Sequence, residues 1–159
     1  MHFVEHIDFV ARLDRTVSDG LEDIADVADA SVAVAAASPW HENHEAAFDA
    51  LATSRPAIVA HAAIETYSAL TRMPEPNRMH PTEARLFLDD WFEDRWIGLP
   101  AAAQRLLLGR RSAAGIHGGA TYDALIGATA AAESATLVSA DRRALVTYAL
   151  VGADVELVS

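Results

Sequence analysis

Short β-branched runs recur along this chain, each separated from the next by a longer stretch of helix-forming residues. Ala57-Ile58-Val59, Trp96-Ile97-Gly98-Leu99, Thr136-Leu137-Val138 and Asp154 to Val158 are such runs, and Ile24 to about Asp29-Ala30-Ser31 is another. After that first run a small-residue turn leads into a helix toward Ala37. Ser38-Pro39 then supplies an N-cap and a first helical position for a helix through His41, His44, Phe48 and Leu51. Further helices are expected over His61 to Arg72, Thr82 to Phe92, Pro100 through Leu108 up to Gly109-Arg110-Arg111, Ala124 to Ala132, and Arg142 to Val151. Strands joined by helix-length crossovers pair in parallel, and such a sheet needs cover on both faces. The alternation therefore predicts an α/β fold around a mostly parallel central sheet.

A chain of 159 residues can bury one substantial core, and an apolar content of 52% fits a folded domain. Much of that apolar fraction is alanine, which implies closely packed helices. No apolar run reaches the roughly 18 to 20 residues of a membrane span, and Glu5, Asp8 and Arg12 break any secretory signal at the start. With zero cysteines there are no disulfides or thiolate metal sites, and a cytoplasmic location without membrane contact is the expectation. Phe3, Ile7, Val10, Leu13 and Val17 fall at helical spacing before Gly20, so residues 1–22 read as a helical N-terminal extension and 23–159 as the domain. The net charge of −11 opposes a nucleic-acid partner unless the acids gather around a cation. All 12 basic residues are arginine, which excludes P-loop and Schiff-base lysine chemistry and suits bidentate phosphate contacts.

Four acids fall at comparable places. Asp29 and Asp141 end strands; Glu65 lies early in the helix after Ala57-Ile58-Val59, and Asp123 lies in the first turn of the helix opened by Gly118-Gly119. In a parallel sheet all four point to the C-terminal edge, where α/β proteins bind ligands. Carboxylates gathered there repel one another by kilocalories at an effective dielectric of about 20, so they bind protons or a hard cation. An all-oxygen set suits Mg²⁺ or Mn²⁺, and the fitting chemistry is metal-assisted phosphodiester hydrolysis. His41 and His44, three residues apart, could share one helix face as metal ligands, but a pair of polar residues on a solvated helix start is the commoner arrangement. A haloacid-dehalogenase-like phosphatase would need an Asp where Ser31 stands, and a lysine.

Asp29-Ala30-Ser31-Val32, Ile64-Glu65-Thr66-Tyr67-Ser68-Ala69-Leu70, Tyr122-Asp123-Ala124-Leu125-Ile126 with Ala128-Thr129-Ala130, and Leu137-Val138-Ser139-Ala140-Asp141-Arg142-Arg143-Ala144 follow in an order that resembles the PIN-domain ribonucleases, and among them the VapC toxins of toxin–antitoxin pairs. The resemblance runs from about Ile24 to Val158. It implies a three-layer α/β/α PIN-like fold and a Mg²⁺-dependent endoribonuclease, with Mn²⁺ as the other metal, acting on structured RNA. Asp29, Glu65, Asp123 and Asp141 would be both metal ligands and catalytic acids, activating a water that attacks the phosphorus, with the hydroxyls of Ser31 and Ser139 in support. It also implies a homodimer and a VapB-like antitoxin as partner. Arg110, Arg111, Arg142, Arg143 and Arg72 are the candidates to face RNA, each equally readable as solvated surface. A catalytically silent PIN domain, acting as an RNA- or protein-binding regulatory module, is the alternative; the presence of all four acids speaks against it. Two departures stand out: more than twenty residues precede Asp29, and Asp23 and Asp26 interrupt the first strand. Asp26 must therefore lie at a strand end or be buried at a cost.

Overall fold

The computed structural model describes residues 24–159; the expected N-terminal helix lies outside them. Strands β1 (Asp26–Ala28), β2 (Ala57–Val59), β3 (Trp96–Ile97), β4 (Thr136–Ser139) and β5 (Asp154–Leu157) form one sheet in the order β3-β2-β1-β4-β5. Every pair is parallel, with Val27 opposite Ala57 on one side and Leu137 on the other. The helices are α1 (Ala30–Ala37), α2 (His44–Ser54), α3 (Ala60–Arg72), α4 (Pro81–Phe92), α5 (Ala101–Ala113), α6 (Ala120–Ala132) and α7 (Leu145–Leu150). They complete a three-layer α/β/α architecture.

The central strands are apolar on both faces, as a doubly covered parallel sheet requires: Val27, Ala28, Ile58, Val59, Leu137 and Val138 are all buried. Alanines meet them from the helices, among them Ala33 and Ala36 of α1, Ala62 and Ala63 of α3 and Ala130 of α6. A second apolar seam joins α5 to α6 through Ala103, Leu107, Ala124 and Ala128. The chain's alanine thus sets close helix-to-sheet and helix-to-helix spacing. α6 is the extreme case: seven of its residues are buried, including Gly127. A Cβ on Gly127 would stand 2.7 Å from Val151 Cγ2 and 3.0 Å from Tyr148 Cδ1, so only glycine lets the α7 corner sit this close.

Several local expectations shift. No small-residue turn follows β1: α1 starts at Ala30, one residue beyond Asp29. Ser38 does not cap a new helix but closes α1, its amide donating to Ala35 O, and turns carry the chain to α2 at His44. Pro39 has no amide hydrogen to continue α1, so it stops a helix here instead of starting one. His41 Nδ1 accepts from the Asn43 amide and His44 Nδ1 lies 2.9 Å from Ala35 O, so both histidines organise this connection. α5 continues through Gly109 to Ala113. The segment after Asp141 begins as a 3₁₀ turn, Arg142–Ala144, before α7. Asp26 opens β1 and is only half-buried, which resolves its position in favour of a strand end. Leu86 is exposed; Ala84, Leu88 and Phe92 form the buried face of α4.

β2 and β3 lie to one side of β1, and β4 and β5 to the other. The chain reverses its direction of progress across the sheet between β1 and β4, and a crevice opens beyond their C-terminal ends.

Candidate active site

Asp29 follows β1 directly and caps α1; its side chain is 2% exposed. Oδ1 accepts the Ser31 hydroxyl at 2.6 Å and the Val32 amide at 3.1 Å. Oδ2 accepts the Tyr148 hydroxyl at 2.7 Å. Burial raises the Asp29 pKa, and the hydroxyls of Ser139, Ser31 and Tyr148 with the Val32 amide pull it only part of the way back. The N-terminus of α1 also favours negative charge at this position. Tyr148 is buried, and its burial together with the Asp29 charge raises the phenol pKa, so it remains a donor.

Two serines fasten the β1 and β4 corners together. Ser31 Oγ accepts the Ala140 amide at 2.8 Å, Ser139 Oγ accepts the Asp141 amide at 3.0 Å, and the two hydroxyl oxygens are 3.2 Å apart. Asp141 thereby sits at the mouth of the crevice, capping the 3₁₀ turn through the Arg143 amide at 2.9 Å. The Arg143 guanidinium lies 3.6 Å from the same oxygen and is otherwise exposed.

The remaining acids arrive from two helices. Glu65, on α3, is partly buried; its pKa is raised by burial, lowered by His61, raised again by Asp29 and lowered by Arg72. His61 Nε2 lies 2.9 Å from Glu65 Oε1, a contact that becomes an ion pair when the imidazole is protonated. Among the described residues no hydrogen bond reaches that buried oxygen. Asp123, in the first turn of α6, has its pKa pushed up to about 6 by burial first, then by the charges of Asp141, Glu65 and Asp29, with Arg143 opposing.

The structure therefore brings Asp29, Glu65, Asp123 and Asp141 into one electrostatic neighbourhood, with Ser31 and Ser139 within it. Among the described residues, however, no three His, Cys, Asp or Glu side chains converge as a ready metal cage. The donor chemistry still fits a hard cation: carboxylate oxygens throughout, with the Asp123 pKa raised to about 6 by burial and by its acidic neighbours, and a buried Glu65 oxygen with no hydrogen-bond donor among the described residues. Of the five candidate RNA-facing arginines, Arg72 and Arg143 act on the acids; Arg111 instead reaches the Leu150 carbonyl, and Arg110 and Arg142 are exposed.

Beside the acids lies a cleft of about 540 Å³ whose lining includes Ser31, His61, Ile64, Glu65, Arg72 and Tyr122. The rings of His61 and Tyr122 stack there, 4.7 Å between centroids and 8° from parallel. Sequence reasoning missed His61 and Tyr148, and gave Tyr122 no role. For Tyr148 the usable signal was indirect: an isolated glycine inside a helical run, Gly127, marks a close approach.

This sheet order with its edge of acids defines a PIN-type nuclease scaffold. The sequence matches the PIN domain over residues 27–150, and the chain belongs to the PIN-domain family, in its VapC ribonuclease branch. Ribonuclease VapC40 of Mycobacterium tuberculosis, in strains CDC 1551 / Oshkosh and ATCC 25618 / H37Rv, is 44% identical over 131 residues, covering 82% of this chain and 97% of the relative. Ribonuclease VapC27 of strain ATCC 25618 / H37Rv is 35% identical over 136 residues, covering 80% and 92%. No solved structure matches this sequence. Among the described residues no helix is long and apolar enough to cross a membrane.

Proposed function

We propose that the protein is a Mg²⁺-dependent endoribonuclease, with Mn²⁺ as the alternative metal, and the toxin of a VapBC-type pair. The observation that carries this reading is the gathering of four carboxylates at the β1–β4 crevice, where burial first and the charges of Asp141, Glu65 and Asp29 second push Asp123 up to about 6. Such a group is strained without a cation and relaxed with one. Asp29, Glu65, Asp123 and Asp141 would hold the metal. When bound, it supplies charge neutralisation at the phosphoryl group and a water nucleophile at neutral pH.

The protein's own residues divide the remaining work. Asp29 is fixed by its three donors, giving an acid whose orientation is set before any ligand arrives. Asp123, poised near pH 6, ionises fully when positive charge enters the crevice. Ser31 and Ser139 hold the β4 corner, and hence Asp141, against Asp29. Arg72 and Arg143 at the rim offset the acids' repulsion of an RNA backbone. The named relatives are ribonucleases, which supports RNA as substrate. A homodimer and a small VapB-like antitoxin complete the reading.

The test is cleavage of structured RNA by purified protein. We expect cutting with Mg²⁺, none with EDTA, and at least about 100-fold slower cutting by Asp29→Asn or Asp123→Asn, the scale of losing a key electrostatic group. Equal cleavage by the variants would overturn the assigned site; RNA binding without cleavage by the wild type would favour a silent binding module. Growth arrest on expression, relieved by a co-expressed antitoxin, tests the toxin role separately.

A further inference from the structure

The cleft beside the acids has a composition that metal chemistry does not explain. We propose that it is a pocket for one unstacked nucleobase of the RNA strand, next to the scissile phosphate, with the paired His61 and Tyr122 rings as its stacking platform. This rests on the ribonuclease reading and adds to it the feature that selects where a strand is cut.

The cleft's volume, about 540 Å³, lies within the range of small-molecule pockets, roughly 300 to 1,000 Å³. Its wall carries a flat double ring at 8° from parallel, the shape that a planar heterocycle stacks against. Tyr122 is 50% exposed although His61 stacks on its ring, so half of the side chain's surface stays open to a ligand. The platform is tied to the acids twice: Tyr122 precedes Asp123 in the chain, and His61 touches Glu65 at 2.9 Å. Ser31 and Glu65 also line the cleft, so a base seated there has its own phosphate at the crevice. Arg72, at the end of α3, lines the cleft as well and supplies a cation for a neighbouring phosphate. Single strands are recognised in this manner, by bases splayed out onto aromatic side chains, with charge tracking the backbone.

The experiment compares wild type, Tyr122→Ala and Tyr122→Trp on RNA oligonucleotides that carry one abasic nucleotide at successive positions around the cut, with Mg²⁺. For Tyr122→Ala we expect KM to rise about tenfold with a much smaller change in kcat, and Tyr122→Trp to restore much of the loss. Removal of one particular base should raise the wild-type KM by a similar factor and leave Tyr122→Ala indifferent. A second arm titrates the four nucleoside monophosphates, one at a time, into protein in EDTA and follows the His61 imidazole by NMR; shifts in the wild type that vanish in Tyr122→Ala support the pocket. If wild-type protein cuts no RNA, the function reading fails while the titration still decides the cleft. Unchanged KM, unchanged abasic profile and no imidazole shift would overturn the pocket. So would Tyr122→Ala losing neutralisation by the antitoxin while keeping its cleavage kinetics, which would assign the cleft to a protein segment.

Discussion

On the β1–β4 side of the crevice, Asp29 is buried and each of its oxygens receives a donor: Ser31 and Val32 on one, Tyr148 on the other. On the α3–α6 side, among the described residues, no hydrogen bond reaches the Asp123 carboxylate, and Glu65 Oε1 has only the His61 contact. The first half is positioned by hydrogen bonds that persist whatever occupies the crevice. The second half has its pKa values raised by burial first and by neighbouring acids second, and relaxes when protons or a cation arrive. One side supplies a fixed point and the other the driving force for capture, so substitutions on the two sides should move stability in opposite directions.

Tyr148→Phe should show the largest effect. It removes a hydrogen bond to a buried carboxylate, and such bonds contribute about 1.5–3 kcal/mol. Chemical denaturation of metal-free protein should report a loss of that order, with slower RNA cleavage because Asp29 is less firmly oriented. An unchanged midpoint would break the account of a hydrogen-bonded half. Gly127→Ala attacks the same half from behind, since the added methyl meets Val151 and Tyr148, both buried. Overpacking costs about 1–3 kcal/mol and the better helix propensity returns up to about 1, so a net loss of about 1–2 kcal/mol is expected. A gain in stability would mean that the α6–α7 contact yields easily.

Asp123→Asn should give the smallest shift and the opposite sign. Its carboxyl is raised from 3.8 to about 6, so its contribution to stability is fully present below 3.8 and lost as pH rises through about 6. Metal-free wild type should therefore lose Tm between about pH 4 and 7. The variant should flatten that slope and melt slightly higher than wild type at neutral pH. Mg²⁺ should raise the wild-type Tm more than the variant's, by linkage to binding. A variant less stable than wild type at neutral pH without metal would contradict the crowded half. Both halves can be read in one set of melting curves.

The strand and helix alternation was legible because parallel strands such as Ala57–Val59 and Thr136–Ser139 are apolar on both faces and are bounded by helix formers. It also placed the four acids at one sheet edge, since a strand end and a following helix start share that edge whatever the side chains do. Tyr148 was legible only indirectly: Gly127 marks a close approach, but which residue makes it, and that this residue meets Asp29, depends on the packing of α7 against α6. The Ser38-Pro39 pair misled for a related reason. Its chemistry serves a helix start or a helix stop, and what precedes it decides between them. His61 and Tyr122 lie on different helices, so their stacking is tertiary information too.

The hydroxyl and amide contacts around Asp29 also set a schedule. The partners of Ser31 and Asp29 lie 109 and 119 residues further along the chain, at Ala140 and Tyr148. During synthesis the first acid leaves the ribosome early with Ser31 and Val32, while its partner Tyr148 is made near the end. Contacts of such sequence separation form late, only once the intervening chain is in place. On the proposed ribonuclease reading, the acids reach their working arrangement only once the chain has been made as far as Tyr148, near the end of the domain.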